Sequence, residues 1–446
     1  MRTSGLAAFA FVTSLLPLAA CSSSDVSSES SPELSSSEDG PVVLASEGDL
    51  AEASQALETK SFSFRGLTRI FSILRVVHAS PDAPAVDVYV RGLPFPLLRG
   101  VKFTDTTPYL LLPRGQYTLD LRASPSRASD PVAFSTGRLP IEGGARFTAV
   151  ATGLLGSTAE DERFRVLPLV EGFDGGAAGT TPVRIVHASP DAPTVDLDVG
   201  NDNPRAPELA GLARYADTGA AGIALPAATA LQVGIAAGGN TVTAFTTPEL
   251  PAGRGLFVIA TGLLGKRPRE ANGFGLLAVG PRGTVGFIRQ NPRVYALHAS
   301  PDAPAVDIFA GSAELVSNLS FGGISKPVQL PPGQYSVDFF AAAPTPARPA
   351  GAPAATAALP PLEAGEQYVA VATGFLAPRA GEAAFRVLPL VDGLDLSDAK
   401  EPRLQIVHAS PNAPAVDIGI VAGGALGPTV VTNVSFGQSS SAEGIA

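Results

Sequence analysis

A sixteen-residue motif that occurs four times at nearly equal steps constrains this chain more than any other feature. RVVHASPDAPAVDVYV begins at Arg75, RIVHASPDAPTVDLDV at Arg184, YALHASPDAPAVDIFA at Tyr295 and QIVHASPNAPAVDIGI at Gln405. The histidines at 78, 187, 298 and 408 are every histidine in the protein, spaced 109, 111 and 110 residues apart. A period this long does not suit a stacked solenoid repeat and does suit a domain with its own core.

Other landmarks recur in the same order. LPRGQY ends at Tyr117 and LPPGQY at Tyr335, whereas the second copy reads LPAATAL and loses both the glycine and the tyrosine. AVATGLLG, VIATGLLG and AVATGFLA start at Ala149, Val258 and Ala370, and FRVLPLV starts at Phe164 and Phe385. The copies are expected over residues 67–175, 182–284 (degenerate), 290–395 and 402–446 (incomplete).

Within a copy the apolar runs are short, rich in β-branched residues and divided by turns. The chain holds 47 Gly and 41 Pro, which fits many strands joined by tight turns. In the first copy strands are expected near 73–79, 85–91, 97–103, 108–112, 116–122, 131–138, 146–153 and 164–170. Seven or eight strands in about 100 residues predict an all-β fold of tandem immunoglobulin-like β-sandwiches. Gly115-Gln116-Tyr117 has the sequence of a tyrosine corner. The fourth copy supplies about three strands, too few to close a sandwich alone; it is expected to be cut short or to dock on another copy.

Side chains two apart on a strand share a face. Two and four residues before each histidine stand Val76/Leu74, Ile185/Val183, Ala296/Val294 and Ile406/Leu404, all apolar. The histidines therefore take the core-facing parity, while Arg75, Arg184, Tyr295 and Gln405 are expected on an outer face. After the turn, Val86/Val88, Val195/Leu197, Val306/Ile308 and Val416/Ile418 point inward, which leaves Asp87, Asp196, Asp307 and Asp417 on the opposite parity.

Between these strands lies Ser-Pro-Asp-Ala-Pro, with Asp82, Asp191 and Asp302 in three copies and Asn412 in the fourth. Prolines fix φ, and Asp or Asn can accept from backbone N–H groups two residues on, so a capped turn is expected. The candidate motif is thus His78, Asp82 and Asp87, then His187, Asp191 and Asp196, His298, Asp302 and Asp307, and His408, Asn412 and Asp417. A histidine near carboxylates can serve a metal or a reaction, but His-x3-Asp-x4-Asp matches no strong metal motif. The reading preferred is a structural strand–turn–strand corner, with ligand binding as the alternative role. No Gly-x-Ser-x-Gly elbow or other catalytic constellation appears, so no enzyme and no cofactor are expected. DLDVGNDN at 196–203 is read as a polar hairpin turn rather than a calcium loop.

The amino terminus, MRTSGLAAFAFVTSLLPLAAC, has a positive residue, a short apolar stretch and small residues before the chain's one cysteine, Cys21. That run is too short to span a bilayer and fits a signal peptide over 1–20. Leu18-Ala19-Ala20-Cys21 resembles the bacterial lipobox, which implies lipidation of Cys21. Residues 22–40 hold ten Ser and five acidic residues with almost nothing to bury, so 21–66 is expected to be a disordered tether. Such a tether spans roughly 40 Å. A short helix is expected over 48–60. The membrane is the partner implied by Cys21, the bacterial outer membrane or cell surface the expected location, and an envelope glycan or protein the candidate ligand. One cysteine allows no internal disulfide and no thiolate zinc site. A net charge of −10 without a basic cluster argues against nucleic acid.

HASPDAPxVD, followed by LPxGxY and xATG, resembles a bacterial family known only as domain of unknown function number four-three-nine-seven. The resemblance covers about 70–175, 182–282, 290–395 and 404–446. It implies an exported or surface protein with tandem copies, and brings no established activity or catalytic residue. The sequence reading as a whole is a lipid-anchored envelope protein that displays sandwiches for binding or for structural or adhesive contact. The alternative is an envelope metal-binding protein or hydrolase working through the His/Asp corner.

Overall fold

The computed structural model describes residues 70–446 apart from 174–175, 345–346, 395–399, 423 and 446. The signal peptide, Cys21, the tether and the helix expected over 48–60 lie outside the described residues.

The described residues form strands and no helix. The first copy contributes β1 (Phe71–His78), β2 (Val86–Val90), β3 (Leu98–Val101), β4 (Leu110–Pro113), β5 (Gly115–Tyr117), β6 (Leu119–Ala123), β7 (Phe134–Ser135), β8 (Leu139–Ile141), β9 (Arg146–Thr152) and β10 (Arg165–Val170). The second contributes β11 (Thr180–His187), β12 (Val195–Val199), β13 (Leu209–Leu212), β14 (Ile223–Pro226), β15 (Gln232–Ala237), β16 (Asn240–Thr246), β17 (Leu256–Thr261), β18 (Gly275–Gly280) and β19 (Gly283–Arg289). The third contributes β20 (Arg293–Ala299), β21 (Val306–Ala310), β22 (Ala313–Leu319), β23 (Val328–Gln329), β24 (Ser336–Ala341), β25 (Ala355–Ala358), β26 (Gln367–Thr373) and β27 (Arg386–Val391). The fourth adds the hairpin β28 (Val416–Ala422) and β29 (Ala425–Val434).

Each of the first three copies builds two facing sheets. In the first they run β10-β9-β1-β4 and β3-β2-β6-β7, and the third repeats this as β27-β26-β20-β23 and β22-β21-β24-β25. The second extends its first sheet to β14-β11-β17-β18-β19, because β19 folds back on β18; β19 straddles the end expected at 284. The strand expected over 116–122 is divided at Thr118, so that β5 pairs with β8 while β6 joins the second sheet.

The core of the first sandwich gathers Val86, Val88, Val101, Leu119 and Leu121 from one sheet against Ala151 from the other, with Phe164 closing it. Val183, Ile185, Val195, Leu197, Ile235 and Leu276 do the same in the second, and Val306, Ile308, Phe339 and Ala372 in the third. The inward parity expected before each histidine holds for Leu74, Val183, Ile185 and Val294, all buried. In the fourth copy Leu404 is instead 62% exposed, since only the hairpin β28–β29 supplies a facing layer.

One strand pairing departs from the hairpin pattern. β1 lies parallel to β9, with Val76 opposite Ala149 and His78 opposite Ala151. β11 and β17 set His187 opposite Ala260, and β20 and β26 set His298 opposite Ala372. Parallel strands end on the same side of a sheet. The loop after HAS and the loop after xATG therefore emerge side by side, although more than 70 residues separate them.

The expectation of an outer face for Arg75 and Arg184 is corrected. The parity is right, but the outer faces of the first two copies pack together. Val77, Ala79, Val150 and Leu169 of the first join Val186, Ala188, Phe257, Ile259, Leu277 and Val279 of the second in one continuous core. Arg75 is 2% and Arg184 5% exposed inside this joint. Each fully buried valine or leucine here contributes about 1.5–3 kcal/mol relative to exposure.

Candidate functional site: the histidine corner

His78, His187 and His298 are each 1% exposed and His408 is 7% exposed. In every copy Nε2 faces a proline carbonyl six residues on: Pro84 at 3.2 Å, Pro193 at 2.8 Å, Pro304 at 3.0 Å and Pro414 at 3.0 Å. A carbonyl only accepts, so Nε2 carries a proton. Nδ1 of His78 and His298 then accepts from the N–H of Ser80 and Ser300 at 3.4 and 3.3 Å. The ring closes the turn on itself and covers the end of the sandwich. Phe103, Phe321 and Phe436 stand edge-on to His78, His298 and His408 with centroids 6.1–6.5 Å apart.

Burial pushes His78 and His187 below the usual imidazole value, and the hydrogen bonds to Pro84 and Pro193 oppose that shift.

The carboxylate of the motif has a different partner from the one expected. Within its own turn Asp82 accepts only from Ser80 Oγ, at 3.3 Å; its backbone donors lie in another loop. Its Oδ1 accepts from Leu155 N–H at 2.8 Å and its Oδ2 from Gly156 N–H at 2.9 Å, in the loop that follows xATG. Asp191 makes the same pair with Leu264 and Gly265, and Asp302 with Leu376 and Ala377. Between histidine and aspartate, Ser80 Oγ donates to Gly153 O at 2.6 Å; Ser189 and Ser300 repeat this with Gly262 and Gly374. Two short motifs that look unrelated in sequence are thus the halves of one latch, brought together by the parallel pairing of β1 and β9. Among the described residues Asn412 of the fourth copy meets only Ser410 Oγ, at 3.5 Å, the counterpart of Ser80 Oγ with Asp82.

The second aspartate stands apart from the histidine, as its parity requires. Asp87 accepts from Gly100 N–H, Ser126 N–H and Ser126 Oγ, all at 2.8 Å. Burial raises its proton affinity, but the hydrogen bonds from Gly100, Ser124 and Ser126 outweigh that and hold the carboxyl below its ordinary value. Asp196 accepts from Gly211, Asp307 from Asn318 and Ala343, and Asp417 from Asn433, so each tethers the bulged connection after its strand. In 196–203, Asp198 accepts from Asp202 and Asn203 N–H groups, which makes that segment a self-capped turn.

Sequence reasoning found these residues and missed a glycine. Gly153, Gly262 and Gly374 have φ of +84°, +86° and +85°. A Cβ there would overlap the carbonyl oxygens of Arg163, Gly273 and Ala384. The invariance of xATG across the copies was the available signal.

Nε2 of each ring is bonded in all four corners, and Nδ1 is met by a serine N–H in the first and third; Nδ1 of His187 and of His408 is buried without a partner among the described residues. Among the described residues no group of three or more His, Cys, Asp or Glu is placed to hold a metal ion. An apolar cavity of about 40 Å³ between the sheets of the second copy is lined by His187 with Val195, Leu197, Phe274 and Leu276. It is far smaller than the several hundred Å³ of a small-molecule site.

No curated protein matches the chain. A family model does match, over 72–198 and 292–419, each stretch running from one HASPDAP motif through the next. These two stretches cover more than half of the residues, and the chain belongs to the family described as Domain of unknown function (DUF4397).

Proposed function

We propose that this is a lipid-anchored cell-envelope protein that displays tandem β-sandwich modules for binding or for structural or adhesive contact. The observation that carries the reading is the sealing of all four signature histidines. The most repeated polar residues of the chain are spent on holding loops together, so recognition falls to the remaining surface. The joints between copies support display. Between the second and third, Thr243 Oγ1 donates to Gln290 Oε1 at 2.6 Å and Ala244 N–H to Gln329 Oε1 at 2.9 Å. Arg267 and Arg269 both reach Leu394 O, at 2.9 and 2.8 Å. The anchor and the envelope location rest on the sequence around Cys21.

A metal-binding protein or hydrolase working through the corner needs an open pocket in which His78 and Asp82 converge. The sealed ring and the engaged carboxylate do not favour it.

The test is metabolic labelling of the full chain with a tagged fatty acid in a bacterial host, beside Cys21→Ser. Label and membrane fractionation that both disappear in the variant support the proposal. An unlabelled, freely released wild-type chain overturns it. Protease treatment of intact cells then separates outward from periplasmic display.

A further inference from the structure

The joint between the first two copies is reciprocal. Thr152 Oγ1 of the first donates to Ala188 O of the second at 2.5 Å, and Thr261 Oγ1 of the second donates to Ala79 O of the first at 2.7 Å. Arg75 Nη1 donates to Gly280 O, the last residue of β18, at 2.6 Å; Arg184 Nη1 donates to Val170 O, the last residue of β10, at 2.5 Å. Equivalent atoms thus bond equivalent atoms in both directions, the mark of a self-complementary contact built by a two-fold relationship. Arg165 of the first also lies over the Tyr215 ring of the second at 4.1 Å.

The contact recurs in the second half of the chain. Thr373 Oγ1 donates to Ala409 O at 2.7 Å, and Arg386 lies over the Phe436 ring at 4.4 Å. These are the counterparts of Thr152 with Ala188 and of Arg165 with Tyr215. The junction between the second and third copies uses neither element; the amides of Gln290 and Gln329 and the guanidinium groups of Arg267 and Arg269 on Leu394 O bond across it. Copies therefore pair first with second and third with fourth, so the repeating unit is a pair.

Two residues differ between the pairs in a way that bears on partner choice. The first pair has Arg75 and Arg184, whose guanidinium carbons lie 5.4 and 5.7 Å from the centre of one ring, Phe257. The second pair has Tyr295 and Gln405 at the arginine positions, and its third copy has Val369 where the first copy has Thr148 and the second Phe257. A buried guanidinium needs every donor met, here by Thr148, Gly280 and Glu171 for Arg75 and by Asp217 and Val170 for Arg184. A copy without the ring and the facing carbonyl would strand that charge.

We propose that copies of this domain recognise one another through the face bearing the HAS alanine and the xATG threonine, and that Arg75, Arg184 and Phe257 lock the first copy to the second. The partner that fits the face is another copy of the same domain.

Hydrogen exchange on the full chain tests this. Phe257→Val should speed exchange of the β1 amides across the joint at least tenfold and leave β26 unchanged. Thr373→Val should act in reverse, on residues 404–410 and not on β1. Should Phe257→Val fail to fold, Arg75→Tyr carries the same expectation, read at β18. An effect confined to the substituted copy, or spread evenly over all three sandwiches, overturns the proposal.

Discussion

The N–H of Gly156 donates to Oδ2 of Asp82 at 2.9 Å across 74 residues of chain. With the Leu155 N–H on the other oxygen, the carboxylate accepts two bonds from one loop. An asparagine keeps one acceptor and turns an NH₂ towards the second donor. Asp82→Asn is therefore expected to cost about 1–2 kcal/mol, since charge-assisted bonds are lost and an N–H is left facing a donor. Asn412→Asp should change little, because among the described residues Asn412 meets only Ser410. Urea unfolding of both variants checks the contrast, and equal shifts would count against the latch.

Gly153 gives a larger effect from a smaller change. Its φ of +84° disfavours any side chain, and a methyl would meet the Arg163 carbonyl oxygen. Gly153→Ala should cost about 2–4 kcal/mol, combining backbone strain with a displaced loop. Gly137→Ala, also at positive φ but with open space around it, should cost about 1 kcal/mol. Thermal unfolding ranks the two, and the reverse order would show that the close approach to Arg163 is not the source of the cost.

The corner also sets a pH dependence. Burial holds His78 and His187 below the imidazole value of the unfolded chain, about 6.5. As pH falls below about 6.5, the unfolded chain takes up protons that the folded rings refuse. Stability should therefore decline from that pH down to the folded value. Protonation would also place an N–H on Nδ1 of His78, against the Ser80 N–H that it now accepts. Denaturant midpoints at pH 7.5 and 5.5 should differ in the wild type and differ less in His78→Gln. An unchanged slope would mean that His78 titrates alike in both states.

Much of a single sandwich could be read from the residues. Each of the eight strands expected in the first copy overlaps an observed strand, because alternation from Leu74 to His78 and from Val86 to Val88 is a local signal, although 116–122 is split into β5 and β6 and β8 falls outside the expected strands. The burial of the histidines follows from the same parity. The partner of Asp82 could not be read, because it depends on the parallel register of β1 and β9, which nothing local encodes. Arg75 and Arg184 misled for a related reason. An arginine at an outward position usually meets water, and the packing of two copies face to face makes it a buried, hydrogen-bonded group.

The tyrosine corner offers a graded prediction. Tyr117 Oη donates to Pro113 O at 2.8 Å and Tyr335 Oη to Pro331 O at 2.7 Å. The geometry is shared, but Tyr117 is 8% exposed and its bond is buried, whereas the bond of Tyr335 faces solvent. Removing a hydroxyl strands the proline carbonyl, and the penalty depends on whether water can replace the lost donor. Tyr117→Phe should cost about 1–1.5 kcal/mol and Tyr335→Phe about 0.5 kcal/mol or less. The second copy holds Ala230 at this place and still folds its β14 and β15, so the hydroxyl tightens the corner without being required for it. Calorimetry on the two phenylalanine variants separates these cases: equal losses would mean that solvent does not reach Pro331, and no loss from Tyr117→Phe would reduce the corner to simple packing.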